Sequence, residues 1–314
     1  MFFPAQKLSN TRHYALVCGM VNLTFYFYLS IIWAYLRKRM GAMKRIIIYF
    51  LLVMPPCSVF AEVTLKLSRS PNGKENVETF YKDGRELAKR VYNESGNISS
   101  QTGAIPDGAV KLYEKGKLRT VLIYKNGKAN GMAKEYYPAG KIKAEQNWLD
   151  DKLDGSYRAY NEDGKINTEA YFKNGKRNGI AKLYYPNGTL LSEINYKDGK
   201  MEGTYKDYSK KGVIQSEKVY TNGMLNGPLK IYYPNGKVKF EVNYRNNERE
   251  GKATFYHKNG KIKMESNFKA DKENGITQMY YDDGRLEGEG EYKNGILGEV
   301  HLYYKDGRLK PKKP

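Results

Sequence analysis

From Glu62 onward, polar and apolar residues alternate along segments punctuated by turn residues. Alternation of period two predicts half-buried β-strands. Nineteen of the 31 glycines follow Asn or Asp, and such a pair between alternating segments predicts a hairpin with a type I′ turn, which needs positive φ at both central residues. The segments recur at a fixed interval. Glutamates stand 24 residues apart at Glu145, Glu169, Glu193, Glu217, Glu241, Glu265 and Glu289. Three residues further on runs an aromatic row, Trp148, Phe172, Tyr196, Tyr220, Tyr244, Phe268 and Tyr292, beginning one period earlier at Tyr124. Out of phase with it runs a tyrosine row, Tyr136, Tyr160, Tyr184, Tyr208, Tyr232, Tyr256 and Tyr280. A constant interval of this length is the signature of a repeat architecture.

The register follows from the turns. In Tyr184-Tyr185-Pro186-Asn187-Gly188-Thr189-Leu190, a type I′ turn at Asn187–Gly188 sets Pro186 opposite Thr189 and Lys182 opposite Glu193. The same pairing sets Lys134 by Glu145, Arg158 by Glu169, Lys206 by Glu217 and Lys230 by Glu241. Opposite charges across an antiparallel pair contribute about 0.2 to 1 kcal/mol, and a repeated ladder also fixes register. Thr254 and Gln278 stand where the cation is expected opposite Glu265 and Glu289, which predicts two unpaired carboxylates.

The aromatic row falls opposite glycines, Trp148 by Gly131 through Tyr244 by Gly227, each ring covering bare backbone. An apolar row, Ile142, Ile166, Leu190, Ile214, Val238, Ile262 and Leu286, is expected on that same face. The tyrosine row, the charge ladder and polar residues such as Asn147 and Asn195 occupy the other. The fold class is therefore all-β: tandem 24-residue β-hairpin repeats forming one elongated, twisted, antiparallel sheet. Residues 62–107 read as degenerate first repeats with an irregular connection, 108–309 as regular repeats and 310–314 as a basic tail. About 16 strands between Gly108 and Leu309 would span roughly 75 Å.

Composition changes this picture little in the repeats and much before them. Residues 1–61 hold seven basic and no acidic residues, leaving 47 basic against 34 acidic downstream. The repeats are therefore basic but mixed. Tyr14–Leu36 is uncharged and long enough to cross a bilayer, and a basic cluster separates it from a second apolar run, Ile46–Phe60. Read from Met43, residues 43–61 have the three parts of a signal peptide, with cleavage after Ala61. Two readings stand: an over-extended start with 1–42 as an extension before a cleaved signal, or a retained transmembrane helix at 14–36. Both send the repeats out of the cytoplasm. Both cysteines, Cys18 and Cys57, precede the repeats, which excludes a disulfide framework or a cysteine metal site there.

Catalytic chemistry finds no foothold. The chain has no phosphate-binding Gly-x-x-x-x-Gly-Lys loop, no kinase signature and no Gly-x-Ser-x-Gly elbow. His257 and His301 have no Cys or His at ligand spacing and read as solvent-facing repeat residues. No metal, cofactor or nucleic acid is expected.

Residues 179–200, Gly-Ile-Ala-Lys-Leu-Tyr-Tyr-Pro-Asn-Gly-Thr-Leu-Leu-Ser-Glu-Ile-Asn-Tyr-Lys-Asp-Gly-Lys, resemble the variant form of the MORN repeat, as do 227–248 and 275–295. Bacterial chains made of this variant are grouped as toxin–antitoxin system antitoxins. The resemblance implies hairpin architecture and a binding role. The expected function is an exported or membrane-anchored binding module that engages a protein partner, with anionic phospholipid or a toxin as alternatives. The candidate surface comprises Tyr136, Tyr160, Tyr184, Tyr232, Tyr256 and Tyr280 with Glu265 and Glu289.

Overall fold

A computed structural model describes residues 62–71 and 73–311. The N-terminal apolar segments lie outside the described residues, as does most of the basic tail. The described chain is all-β, 24 strand segments in one sheet. Among the described residues no helix is long and apolar enough to cross a membrane.

Between Gly108 and Leu302 each 24-residue unit is a hairpin paired to its neighbours in chain order. Three two-residue segments, Lys128–Ala129, Lys176–Arg177 and Lys272–Glu273, are continued after one asparagine by a longer strand. Counted with those continuations, 17 full strands result, one more than the spacing predicts.

The two long rims of the sheet use different turns. Along one, Asn126–Gly127, Asn174–Gly175, Asp198–Gly199, Asn222–Gly223 and Asn294–Gly295 have positive φ at both residues, the type I′ signature. The other rim corrects the expectation for Asn187–Gly188. There the Gly188 N–H donates to the Tyr185 carbonyl at 2.8 Å, and only Gly188 of the pair has positive φ. Pro186 thus sits second in a four-residue turn, where its fixed φ fits, and the Tyr185 N–H bonds the Thr189 carbonyl. A bulge then shifts the register between Leu183 and Tyr184, restoring Lys182 opposite Glu193.

That bulge moves the apolar row. One extra residue lies between Leu190 and Ser192, so Leu190 pairs with Tyr184, as Ile142 does with Tyr136 and Val238 with Tyr232. Cross-strand partners share a face. The apolar row therefore lies with the tyrosines, not with the aromatic row. The aromatic–glycine pairs form as expected, from Gly131–Trp148 to Gly227–Tyr244. These glycines also sit at a second register shift. Gly227, for example, has φ +126, and a Cβ there would meet Val219 Cβ at 3.1 Å.

The N-terminal end departs from a purely antiparallel sheet. Strands β1 (Val63–Arg69), β2 (Asn76–Lys82), β3 (Arg85–Tyr92) and β4 (Ile98–Gly103) pair in order, but β1 pairs parallel with β5 (Gly108–Glu114), Val63 against Val110. The sheet is mixed. Ala104–Asp107 must then carry the chain from β4 past three strands to β5. Fully stretched it spans about 18 Å, while four strand spacings measure about 19 Å, so this end has to curl. Ile105 is buried inside the curl with Leu65, Phe80, Ala88, Val110, Tyr124 and Ala129. Phe80 is fully buried and meets Tyr124 edge-on at 5.4 Å. Arg90 fixes the curl: its guanidinium donates to the Gly127 carbonyl just beyond β6 (Lys117–Lys125) and lies 3.8 Å from Asp151 and 3.9 Å from Glu78.

Candidate functional site

The hairpin register lines up one residue from each strand into a strip across the sheet: Lys134, Glu145, Arg158, Glu169, Lys182, Glu193, Lys206, Glu217, Lys230, Glu241, Thr254, Glu265, Gln278, Glu289, His301. Each glutamate in the first ten positions has a cation on its own hairpin. The N–O distances are 3.2 Å for Lys134–Glu145, 3.3 Å for Arg158–Glu169, 3.8 Å for Lys182–Glu193, 3.4 Å for Lys206–Glu217 and 3.7 Å for Lys230–Glu241. These pairs are partly exposed at the surface, where a single pair contributes about 0 to 1 kcal/mol. Their effect lies in alternation.

Glu265 and Glu289 are not unpaired. Lys252, two residues before Thr254 on the same face, reaches diagonally to Glu265 at 2.6 Å. Glu289 accepts from Gln278 Nε2 at 3.3 Å and from the Tyr303 hydroxyl at 3.0 Å, with His301 opposite. Long side chains span the diagonal as well as the directly opposite position.

The tyrosines are tied into the ladder as well. Tyr160, Tyr184 and Tyr232 donate to the glutamate 15 residues earlier, Glu145, Glu169 and Glu217, at 2.9, 2.7 and 2.8 Å, and Tyr256 donates to Glu241. Tyr136 finds Val121 at that offset and makes no such bond. Tyr280 donates to Gln278 Oε1 instead, while Lys252 engages Glu265. All six rings are half-buried. Partial burial, and then the carboxylate beside each hydroxyl, pushes Tyr184, Tyr232 and Tyr256 up to about 12. The Tyr160 hydroxyl, with Lys134, holds Glu145 below the usual carboxylate range. Of the expected free tyrosine anchors, Tyr160, Tyr184, Tyr232 and Tyr256 are instead half-buried members of hydroxyl–carboxylate–cation triplets.

A row that sequence reasoning missed lies one residue on. Tyr137, Tyr185, Tyr233 and Tyr281 reach across the rim to carbonyls of the next unit, at Tyr160, Tyr208, Tyr256 and Tyr303, over 2.7 to 3.0 Å. His257 takes the same position, with Nε2 2.8 Å from the Tyr280 carbonyl. It is a tyrosine substitute rather than a free histidine, and its 24-residue offset from Tyr233 and Tyr281 was the available signal.

On the ladder face beyond the strip, large side chains stand exposed, among them Met132 at 49%, Tyr171 at 50% and Ile180 at 49%. Their strand partners are Asn147, Ser156 and Asn195. On the aromatic face one unit is exceptional. Tyr205, Ser216 and Lys218 converge on Asp207 at 2.6, 2.9 and 3.4 Å, where other units carry mostly small or apolar residues. Among the described residues no group of His, Cys, Asp or Glu could hold a metal ion.

Tandem hairpins with this register define an all-β repeat protein. Six segments, residues 129–150, 153–174, 177–198, 225–246, 249–270 and 273–294, match the MORN repeat variant, so the chain carries tandem MORN repeats of that form. The unmatched unit between 198 and 225 keeps the hairpin geometry and is the one holding the Asp207 cluster. No curated protein matches the chain. Among solved structures, one described as the crystal structure of TcdB2-TccC3 is similar over 77% of this chain and 16% of that chain, at 12% identity and a TM-score of 0.14, a likeness that carries no argument.

Proposed function

We propose that this chain is a non-catalytic scaffold that holds a protein partner outside the cytoplasm, using the ladder face of its repeats. A single-layer sheet leaves both faces open, and one observation favours the ladder face: Tyr171 and Ile180, on adjacent paired strands, stand half-exposed beside polar neighbours. Apolar and aromatic side chains ringed by polar groups are the usual centre of an interface. The ladder holds the strands in register, so the surface is rigid before binding. The double variant Tyr171→Ser, Ile180→Ser is expected to lose capture of the partner from an envelope fraction while keeping its melting temperature within a few degrees. Undiminished capture would move the interface elsewhere. Tyr184, Tyr232 and Tyr280 are poorer probes, since replacing them removes ladder hydrogen bonds as well as surface. Anionic phospholipid and toxin neutralisation are the alternative readings. Vesicle co-sedimentation and rescue of toxin-arrested growth respectively would support them.

A further inference from the structure

The two rims treat their lysines differently. On the rim of four-residue turns, lysines fold onto the next turn: Lys141 Nζ donates to the Glu162 carbonyl at 2.8 Å, Lys237 to Asn259 at 2.6 Å and Lys261 to Asp283 at 2.7 Å. On the type I′ rim, lysines face lysines across the turn. Lys125 pairs with Lys128, Lys173 with Lys176, Lys197 with Lys200 and Lys269 with Lys272. All eight are exposed. Lys128 lies 3.9 Å from Asp150; among the described residues the other seven make no ion pair or side-chain hydrogen bond. Like charges directly opposite one another are unfavourable. Four such couples on one rim and none on the other set that rim apart.

We propose that the type I′ rim binds a flexible, linear acidic polysaccharide, one carrying carboxylate or sulfate groups along its length. Neighbouring turns on this rim are two strands apart, about 10 Å, and the Cβ atoms of Lys176, Lys200 and Lys272 each lie beside the glycine of the next turn, 3.7 to 3.9 Å from where a Cβ on that glycine would stand. The couples form an interrupted track: Lys173–Lys176 and Lys197–Lys200 stand on adjacent turns, Asp150–Asp151 separates them from Lys125–Lys128, and the Thr221–Met224 and Arg245–Glu248 turns separate them from Lys269–Lys272. The sheet's twist decides what can follow it. At roughly 20 to 25° per strand, the rim winds by about 40 to 50° per unit, so a flat membrane meets only a few turns while a flexible polymer can track them all. Base-bearing polymers fit less well, because single-stranded nucleic acid is held through rings on which bases stack. Here Arg177 lies over Tyr196 at 5.3 Å and Arg249 over Phe268 at 4.2 Å, so two of the rings nearest the rim are already covered. Lysine, a hydrated point charge, also suits dispersed carboxylates or sulfates better than geometry-specific phosphate capture.

The test compares two full-length quadruple variants for binding to sulfated dextran oligosaccharides of graded length at low salt. Lys173→Gln, Lys176→Gln, Lys197→Gln and Lys200→Gln empty the centre of the type I′ rim; Lys141→Gln, Lys237→Gln, Lys261→Gln and Lys165→Gln, the last a lysine donating to the Pro186 carbonyl at 3.4 Å, remove equal charge from the other. The native chain should bind with affinity that rises with oligosaccharide length and falls steeply with salt. The first variant should lose at least about tenfold and the second markedly less. The first variant should also melt no lower than the native chain, since it relieves like-charge pairs, so a loss of binding cannot be ascribed to unfolding. Equal losses in both variants, no binding by the native chain, or tighter binding to oligothymidylate or to anionic vesicles of matched charge would each overturn the proposal.

Discussion

At the scale of single residues, the hydroxyl–carboxylate contacts make alkaline pH a probe of the ladder. Tyr184, Tyr232 and Tyr256 titrate near 12 when folded against an ordinary value of 10.0. A raised tyrosine value means that the folded chain keeps protons the unfolded chain has lost, so the contribution is complete below pH 10 and disappears as pH rises toward 12. Tyrosinate absorbance is expected to lag behind that of free tyrosine until the β-sheet circular dichroism collapses in the same window; ionisation without loss of the sheet would contradict it. Tyr232→Phe alone should cost about 1 kcal/mol, the usual worth of a hydrogen bond, in urea denaturation. Ala270 is the opposite case. It occupies the first type I′ position at φ +45, where other units carry Asn or Asp. Left-handed backbone costs a residue with a Cβ about 1 to 2 kcal/mol, and Asn tolerates it better. Ala270→Asn should therefore raise the melting temperature.

Among the elements, the hairpin unit was legible in the sequence because a 24-residue period ties every cation to its glutamate through local contacts, and those contacts formed. Features settled by one extra residue were not. The bulge beside Tyr184 leaves the ladder register intact while reassigning the turn and the face of the apolar row, and no composition signal marks it. The parallel seam between β1 and β5 was hidden for another reason. It joins segments 47 residues apart that lack the period, and it depends on burying Phe80 and Ile105 together. Arg90 is the element-scale test of that seam. Its side chain is 3% exposed and answers Glu78 and Asp151, and removing one partner of a buried charge cluster costs about 3 to 5 kcal/mol. Arg90→Leu should release β2–β4, seen as proteolytic cleavage near Ile98–Gly103 while the repeats beyond Gly108 stay intact. Loss of the entire sheet would show instead that the curled end nucleates everything.

For the molecule as a whole, the uneven core sets where the sheet opens. The buried apolar cluster lies at the N-terminal end, with Trp148 packed against it at its outer margin. Further along, the fully buried side chains are small, such as Ser192, Ala253 and Ser266. The last strand, Ile296–Leu302, leaves Ile296, Leu297 and Val300 exposed. In a repeat array stability is close to a sum of unit and nearest-neighbour terms, so units without apolar burial rely on their neighbours and on the ladder. Opening should therefore start at the C-terminal units and travel toward the curled end. Native-state hydrogen exchange is expected to show a graded protection profile, lowest for amides of Ile296–Leu302 and highest for those of Phe80 and Val110. The Asp207 cluster offers a control within the array, because it replaces apolar contacts by a satisfied polar network in one middle unit. Asp207→Ala would leave Lys218 without its carboxylate and should lower protection in that unit and in every unit C-terminal to it, leaving the curled end unchanged. Uniform protection, or a drop on both sides of Asp207, would mean that the sheet opens as one cooperative body.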